Sequence, residues 1–178
     1  MRDPAKHPWI TGNLVIPKTL LDRVYAEARA AYARDEESCG LLVGRVEEPL
    51  VLDGIVPLEN RANKLHAKDP ESYPRTGRMY FDINPLVFAR ELREGEAANR
   101  PVKVLYHSHL DTGAYFSETD AATATMGGDE PAYDVAYLVT SIYAGEVRAH
   151  ELFVWSLATR AFVPTGLRVV EEGAQEAP

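Results

Sequence analysis

An α/β domain built on a largely mixed sheet is the fold class this sequence predicts, and three observations predict it. Short apolar runs such as Cys39–Val43 and residues 102–106 have the length and composition of buried strands. Between them lie segments with apolar residues at helical spacing, about three helices in all, the clearest being Leu20, Leu21, Val24, Ala28 and Ala31. Glycine, proline and asparagine mark the junctions, and there is no internal repeat, linker or second domain.

A chain of 178 residues is one ordinary domain, long enough to bury a sizeable core. We expect that domain over 13–170, with an N-terminal extension at 1–12 and a disordered acidic tail at 171–178. The charged fraction of 26% beside 46% hydrophobic residues is that of a soluble globular protein. No run approaches the ~20 apolar residues of a membrane span, and residues 1–9 lack the apolar segment of a secretory signal. A single cysteine forms no internal disulfide, so a cytoplasmic location is expected. A net charge of −8 argues against nucleic acid as partner, because phosphate neutralisation needs clustered Lys and Arg.

In chain order, residues 13–16 form a short strand candidate, and Pro17 suits the start of a helix ending near Arg34 or Asp35. Cys39–Val43 and residues 50–56 read as strands around a turn. Residues 59–78 read as a long polar loop, and 79–81 as a resumed strand. Asn84 can cap a helix beginning at Pro85, with Leu86, Ala89 and Leu92 on its inner face. After the strand 102–106, Ser117 opens a short alanine-rich helix ending at Gly127-Gly128. Two strands then turn at Ala144-Gly145, and a last one is expected over 161–170.

The chemistry concentrates in residues 106–120. His107 and His109 stand one residue apart at the end of the 102–106 strand, and strand side chains alternate, so both point the same way. Two imidazoles on one face form half of a tetrahedral zinc site. A carboxylate one turn into the next helix suits a third ligand, and Asp120 is that candidate. Ser117-x-x-Asp120 also has the form of a capping box, a purely structural role. Cys39, beside Gly-Leu-Leu-Val, reads as a small buried hydrophobe rather than a nucleophile or ligand. His7, His66 and His150 read as surface or loop residues, and Asp111 as a solvated loop residue. Tyr115 and Phe116 fit a cleft wall and ordinary packing equally well.

The pattern His-x-His, seven residues, Ser-x-x-Asp, here His107, His109, Ser117 and Asp120, resembles the JAMM (MPN-plus) zinc metalloprotease family, in its prokaryotic single-domain branch. That family also carries a glutamate near a Cys-Gly-Leu-Leu stretch, and the register with Cys39-Gly40-Leu41-Leu42 selects Glu37. Weaker similarity continues through Asn60 and residues 81–85. The resemblance implies the MPN fold, a curved mixed sheet flanked by helices with an architecture related to cytidine deaminases. It implies one Zn2+ held by His107, His109 and Asp120, with the fourth position kept for water. Glu37 is then the general base and Ser117 the donor to the developing oxyanion.

The implied substrate is an amide bond after the C-terminal glycine of a ubiquitin-like or sulfur-carrier protein of the β-grasp type. Neither nucleic acid nor membrane is an expected partner, and a homodimer is compatible with the sequence. The chain departs from the family pattern at Leu110, where proline commonly follows the second histidine. Residues 127–134 are also short where deubiquitinating relatives carry a substrate-gripping insertion, which points away from ubiquitin chains. A metallohydrolase of small amide or amino-acid conjugates and a non-catalytic interaction module are the competing expectations.

Overall fold

The computed structural model describes residues 3–171. Strand β1 (Leu14–Pro17) leads into helix α1 (Lys18–Tyr32), and β2 (Cys39–Val43) pairs with β3 (Gly54–Leu58). Helices α2 (Ala62–Lys68) and α3 (Pro85–Ala97) precede the central strand β4 (Val102–Leu110), and α4 (Glu118–Thr125) follows it. The chain continues with β5 (Ala136–Tyr143), β6 (Glu146–Ser156), β7 (Ala161–Thr165) and β8 (Leu167–Val170). Six strands form one sheet in the order β3-β2-β4-β5-β6-β7, while β1 and β8 pair in parallel as a separate ribbon. Within the larger sheet β4 and β5 run parallel, a pairing that needs a crossover and has one through α4, and the other neighbours are antiparallel. The sheet is mixed, as expected, with four α-helices in place of about three.

Strand β4 is buried along its whole length. Val104 and Tyr106 face a core shared with Leu20, Leu21 and Val24 of α1. Leu105 faces a second core with Phe88 of α3 and Ala124 of α4. His107 and His109 continue the α3–α4 side, so that face carries the chemistry. Gly40 lies opposite Tyr106, where an added Cβ would overlap the tyrosine ring and the Val56 carbonyl. That close approach is the physical reason for glycine in the Cys-Gly-Leu-Leu stretch.

Several expectations change. The segment 1–12 is part of the fold from Pro8 onward: a 3-10 turn (Pro8–Thr11) places Trp9 and Ile10 in the α1-side core, and the indole N–H donates to the Asp134 carbonyl at 2.7 Å. The polar stretch 59–78 contains helix α2. Residues 79–81 belong to no strand, and the strand placed at 50–56 lies instead at Gly54–Leu58. On α3 the buried residue is Phe88, whereas Leu86 is 80% exposed. The cap at Asn84 is as expected, its side chain accepting from the Leu86 N–H at 3.0 Å. The stretch 161–170 divides at Gly166 into two strands. The tail expected at 171–178 lies, beyond its first residue, outside the described residues.

A bulge distorts the β2–β4 ladder, because Leu42 faces Val104 while Val43 faces Val102. The extra residue is Lys103, fully buried. Its ammonium donates to the carbonyls of Arg45 (3.0 Å), Glu48 (2.7 Å) and Val51 (2.8 Å), tying down the connection between β2 and β3. It also lies 5.9 Å from the centre of the Trp9 ring.

Candidate metal centre

β4 extends through both histidines, so alternation places their rings on one face. Asp120 comes from the first turn of α4. Ser117 caps that helix: its hydroxyl accepts from the Asp120 N–H at 3.0 Å, and the Asp120 carboxylate accepts from the Ser117 N–H at 2.8 Å. The capping box and the candidate ligand set therefore share Asp120. The box fixes the carboxylate against the two rings. His107 Nε2 lies 3.2 Å from His109 Nε2 and 3.2 Å from one Asp120 oxygen, and His109 Nε2 lies 3.3 Å from the other. All three side chains are buried.

These separations fit one ion. Bonds of about 2.0–2.1 Å in a tetrahedron put neighbouring ligand atoms ~3.3 Å apart. The donor set agrees. His109 Nδ1 sits 2.9 Å from the Gly113 carbonyl, which can only accept, so Nδ1 carries the proton and Nε2 presents a lone pair in the neutral ring. That lone pair faces a carboxylate oxygen, an acceptor-to-acceptor contact that a cation relieves. Burial pushes the Asp120 carboxyl up, but attraction to the His107 ring and the hydrogen bond from Ser117 outweigh it and hold the group well below the usual carboxylate range. Phe81 stacks on His107 with ring centres 4.6 Å apart, and Tyr115 stands edge-on to His109 at 5.2 Å.

Glu37 reaches the same place along the β2–β4 ladder. Cys39 pairs with His107, and Ser38 exchanges hydrogen bonds with Ser108, which sets Glu37 opposite His109. It stands outside the three-ligand group but lines the same cavity, of about 310 Å3, with His109, Ser117, Asp120, Arg78 and Met79. Burial first, and the Asp120 charge second, hold its carboxyl well above the usual range. Its backbone is clamped on both sides. The Glu37 N–H donates to the Gly77 carbonyl at 2.6 Å, and its own carbonyl accepts from Asn60 at 3.0 Å. The buried Asn60 amide also donates to the Tyr80 carbonyl and accepts from the N–H groups of Ala62 and Asp82.

The remaining candidates divide. Cys39 is buried and its thiol is pushed up by burial, as expected of an unreactive hydrophobe. Asp111 bonds Arg78 at 2.6 Å and the Ala144 N–H at 3.1 Å, so it is a bracing residue of the loop. Phe116 packs against Phe162, with ring centres 4.3 Å apart, and Tyr115 is half exposed. Histidines 7, 66 and 150 lie outside the ligand group, and His150 is half-buried, with Nδ1 2.5 Å from the Tyr25 hydroxyl. Sequence patterns passed over Arg78, whose link between Asp35 and Asp111 has no spacing signature, and Phe81, which looked like part of a strand.

The sequence profile of the prokaryotic homologues of the JAB domain matches residues 17–157. The chain belongs to that family. This JAB-domain chain has the fold of a protein from Desulfitobacterium hafniense, with 19% identity and a TM-score of 0.63 over 89% of this chain and 94% of the other. It also resembles a Salinibacter ruber protein, at 24% identity and TM-score 0.56 over 93% and 95% of the two chains. A JAB1/MPN domain protein from Archaeoglobus fulgidus gives 18% identity and 0.51 over 89% and 100%. At these identities the likeness shows the fold alone. No curated protein matches this JAB-domain chain. No helix among the described residues is long and apolar enough to cross a membrane.

Ser117 does two jobs in this arrangement, and one substitution separates them. Ser117→Ala removes the cap, a loss of about 1 kcal/mol in stability, read as the urea midpoint. If the hydroxyl also donates to an oxyanion, turnover falls by ~10^2–10^3, far more than the cap accounts for. Ser117→Gly, a well-tolerated N-cap residue that offers no hydroxyl, should recover most of the stability and not turnover.

Proposed function

We propose that this chain is a zinc-dependent metallopeptidase or isopeptidase that hydrolyses the amide bond following the C-terminal glycine of a ubiquitin-like or sulfur-carrier protein. The observation that carries the reading is the buried His107-His109-Asp120 group, with Glu37 and Ser117 lining the same cavity as His109 and Asp120. A zinc ion in that ligand set supplies Lewis acidity and acidifies water to near neutrality.

The protein's own groups do the rest. Glu37, raised by burial, takes a proton from the attacking water and delivers one to the leaving amine. Asp120 stays anionic and is held in place by Ser117. The Ser117 hydroxyl donates to Asp120 at 2.7 Å, and a χ1 rotation frees it to donate to the substrate oxygen as charge develops there. Glycine on the acyl side suits a site whose ligands are buried, since a chain without side chains can approach them closely.

The deciding experiment incubates the full chain, loaded with zinc, with a Gly-Gly-tailed β-grasp carrier conjugate and with small acyl-amino-acid conjugates, and identifies the products by mass spectrometry. Release of the carrier ending in glycine, abolished by metal removal and restored by zinc, is the expected result. Cleavage of small conjugates alone would transfer the site to that substrate class. Full activity in metal-stripped protein would end the proposal.

A further inference from the structure

A second cavity, of about 260 Å3, meets the ligand group from the other side. His107 and Asp120 form part of its wall, so Asp120 borders both cavities. The rest is largely apolar and aromatic: Leu105 from the sheet, Phe88 from α3, Ala124 from α4, and Phe81, Phe116 and Tyr133 from the connections. Its other charged lining residues, Arg61 and Asp82, are bonded to each other at 2.5 and 2.8 Å, so each already has a charged partner. The mouth lies where Pro85 opens α3 and Met126 ends α4. Met126, which lines the cavity, is 71% exposed, and Leu86, next in sequence to the lining residue Pro85, is 80% exposed.

We propose that this cavity is a specificity pocket for a large apolar side chain on the first residue of the leaving group. The proposal rests on the amide-hydrolase reading above. A substrate tail ending in glycine has no side chain to fill such a pocket, which leaves the amine side of the scissile bond. A cavity of about 150 Å3 already accommodates benzene, so this one holds a phenylalanine or leucine side chain. With no unpaired charge in its wall, it disfavours lysine or aspartate there. The leaving amine is then an apolar amino acid, free or at the head of a peptide, rather than a lysine side chain, and this makes the chain a processing peptidase in preference to an isopeptidase.

The test uses synthetic peptides with the core Gly-Gly-Phe-amide, Gly-Gly-Ala-amide and Gly-Gly-Lys-amide, and a fourth with Phe before the scissile bond. With zinc-loaded protein, kcat/KM for the Phe peptide should exceed that for the Ala and Lys peptides by about tenfold or more. Ala124→Leu, which fills the pocket, should bring the Phe-to-Ala ratio to within about twofold. Met126→Glu, an exposed substitution that leaves the core intact, should lower the same ratio. Equal rates for all leaving residues, or a preference for Phe before the bond, would overturn the assignment. Peptide binding to the Glu37→Gln protein, followed by NMR, judges the pocket without turnover. A Phe preference there that Ala124→Leu removes supports the pocket even if nothing is hydrolysed, in which case the hydrolytic reading alone has failed. Equal binding overturns the pocket.

Discussion

Glu37→Gln should abolish turnover while leaving metal content untouched. Glutamine keeps the shape and the backbone clamp but cannot take a proton, and general acid–base groups contribute ~10^2–10^4 in rate. Glu37 is outside the three-ligand group, so zinc measured by atomic absorption should stay at one per chain. Loss of metal would show that Glu37 is a ligand, and unchanged turnover would show that it is a bystander. The variant should also be more stable than the wild type when both are metal-free. A carboxyl whose folded-state pKa lies above its unfolded value is fully stabilising only at acid pH, and that contribution is lost as pH rises through the folded value. Glutamine removes the loss. The gain should be read as a higher Tm at pH values above the folded-state pKa, and it should close as the pH falls into the acid range where the carboxyl is protonated in both states. If Glu37 is the acid–base group proposed above, its cost to the fold is the usual consequence of putting a charge where chemistry needs it.

Lys103→Met should produce the largest loss of stability, with no direct contact to the site. Methionine matches the length of the stem but leaves three carbonyls without their donor. Hydrogen bonds to a charged group are worth about 1.5–3 kcal/mol each, and water can reach part of the connection once it loosens, so a net loss of about 3 kcal/mol is expected. In a domain of this size that lowers Tm by about 6–12 °C. Burial pushes the ammonium down to about 8, so it remains mostly charged at neutral pH. Because the unfolded chain holds the proton up to its ordinary 10.5, it binds more protons between those values, and the wild type should gain on the variant as pH rises through that window. A difference below about 1 kcal/mol at pH 7 would mean that the β2–β3 connection does not depend on this side chain.

How far the site was legible in sequence depends on how local each part is. His107, His109 and Asp120 lie within one strand–loop–helix unit, where alternation and capping rules dictate which way side chains point. Glu37 is distant, and only its register with the Cys-Gly-Leu-Leu strand selected it over Glu36; the ladder to β4 is what brings it across. The helix α2 has seven residues and no amphipathic signature; the Ala62 N–H at its start donates to an Asn60 side chain that is itself held by the distant Glu37 and Tyr80 carbonyls, a tertiary cue. Met79-Tyr80-Phe81 has strand composition but no strand to pair with, and the Tyr80 carbonyl bonds to the Asn60 side chain instead. The core position of Trp9 was missed because the stretch around it carries no periodicity, only one large residue whose burial dominates.

The Asn60 amide fastens three separate pieces of chain: the carbonyl next to the base, the start of α2 and the turn that delivers Phe81 to His107. The candidate ligands lie within residues 107–120, whereas the placement of Glu37, the proposed proton acceptor, depends on residues 59–82. Damage to that second segment should therefore yield a protein that still fills with zinc and no longer turns over. Ion content is then a poor proxy for competence in this molecule, and a preparation can be fully loaded and silent.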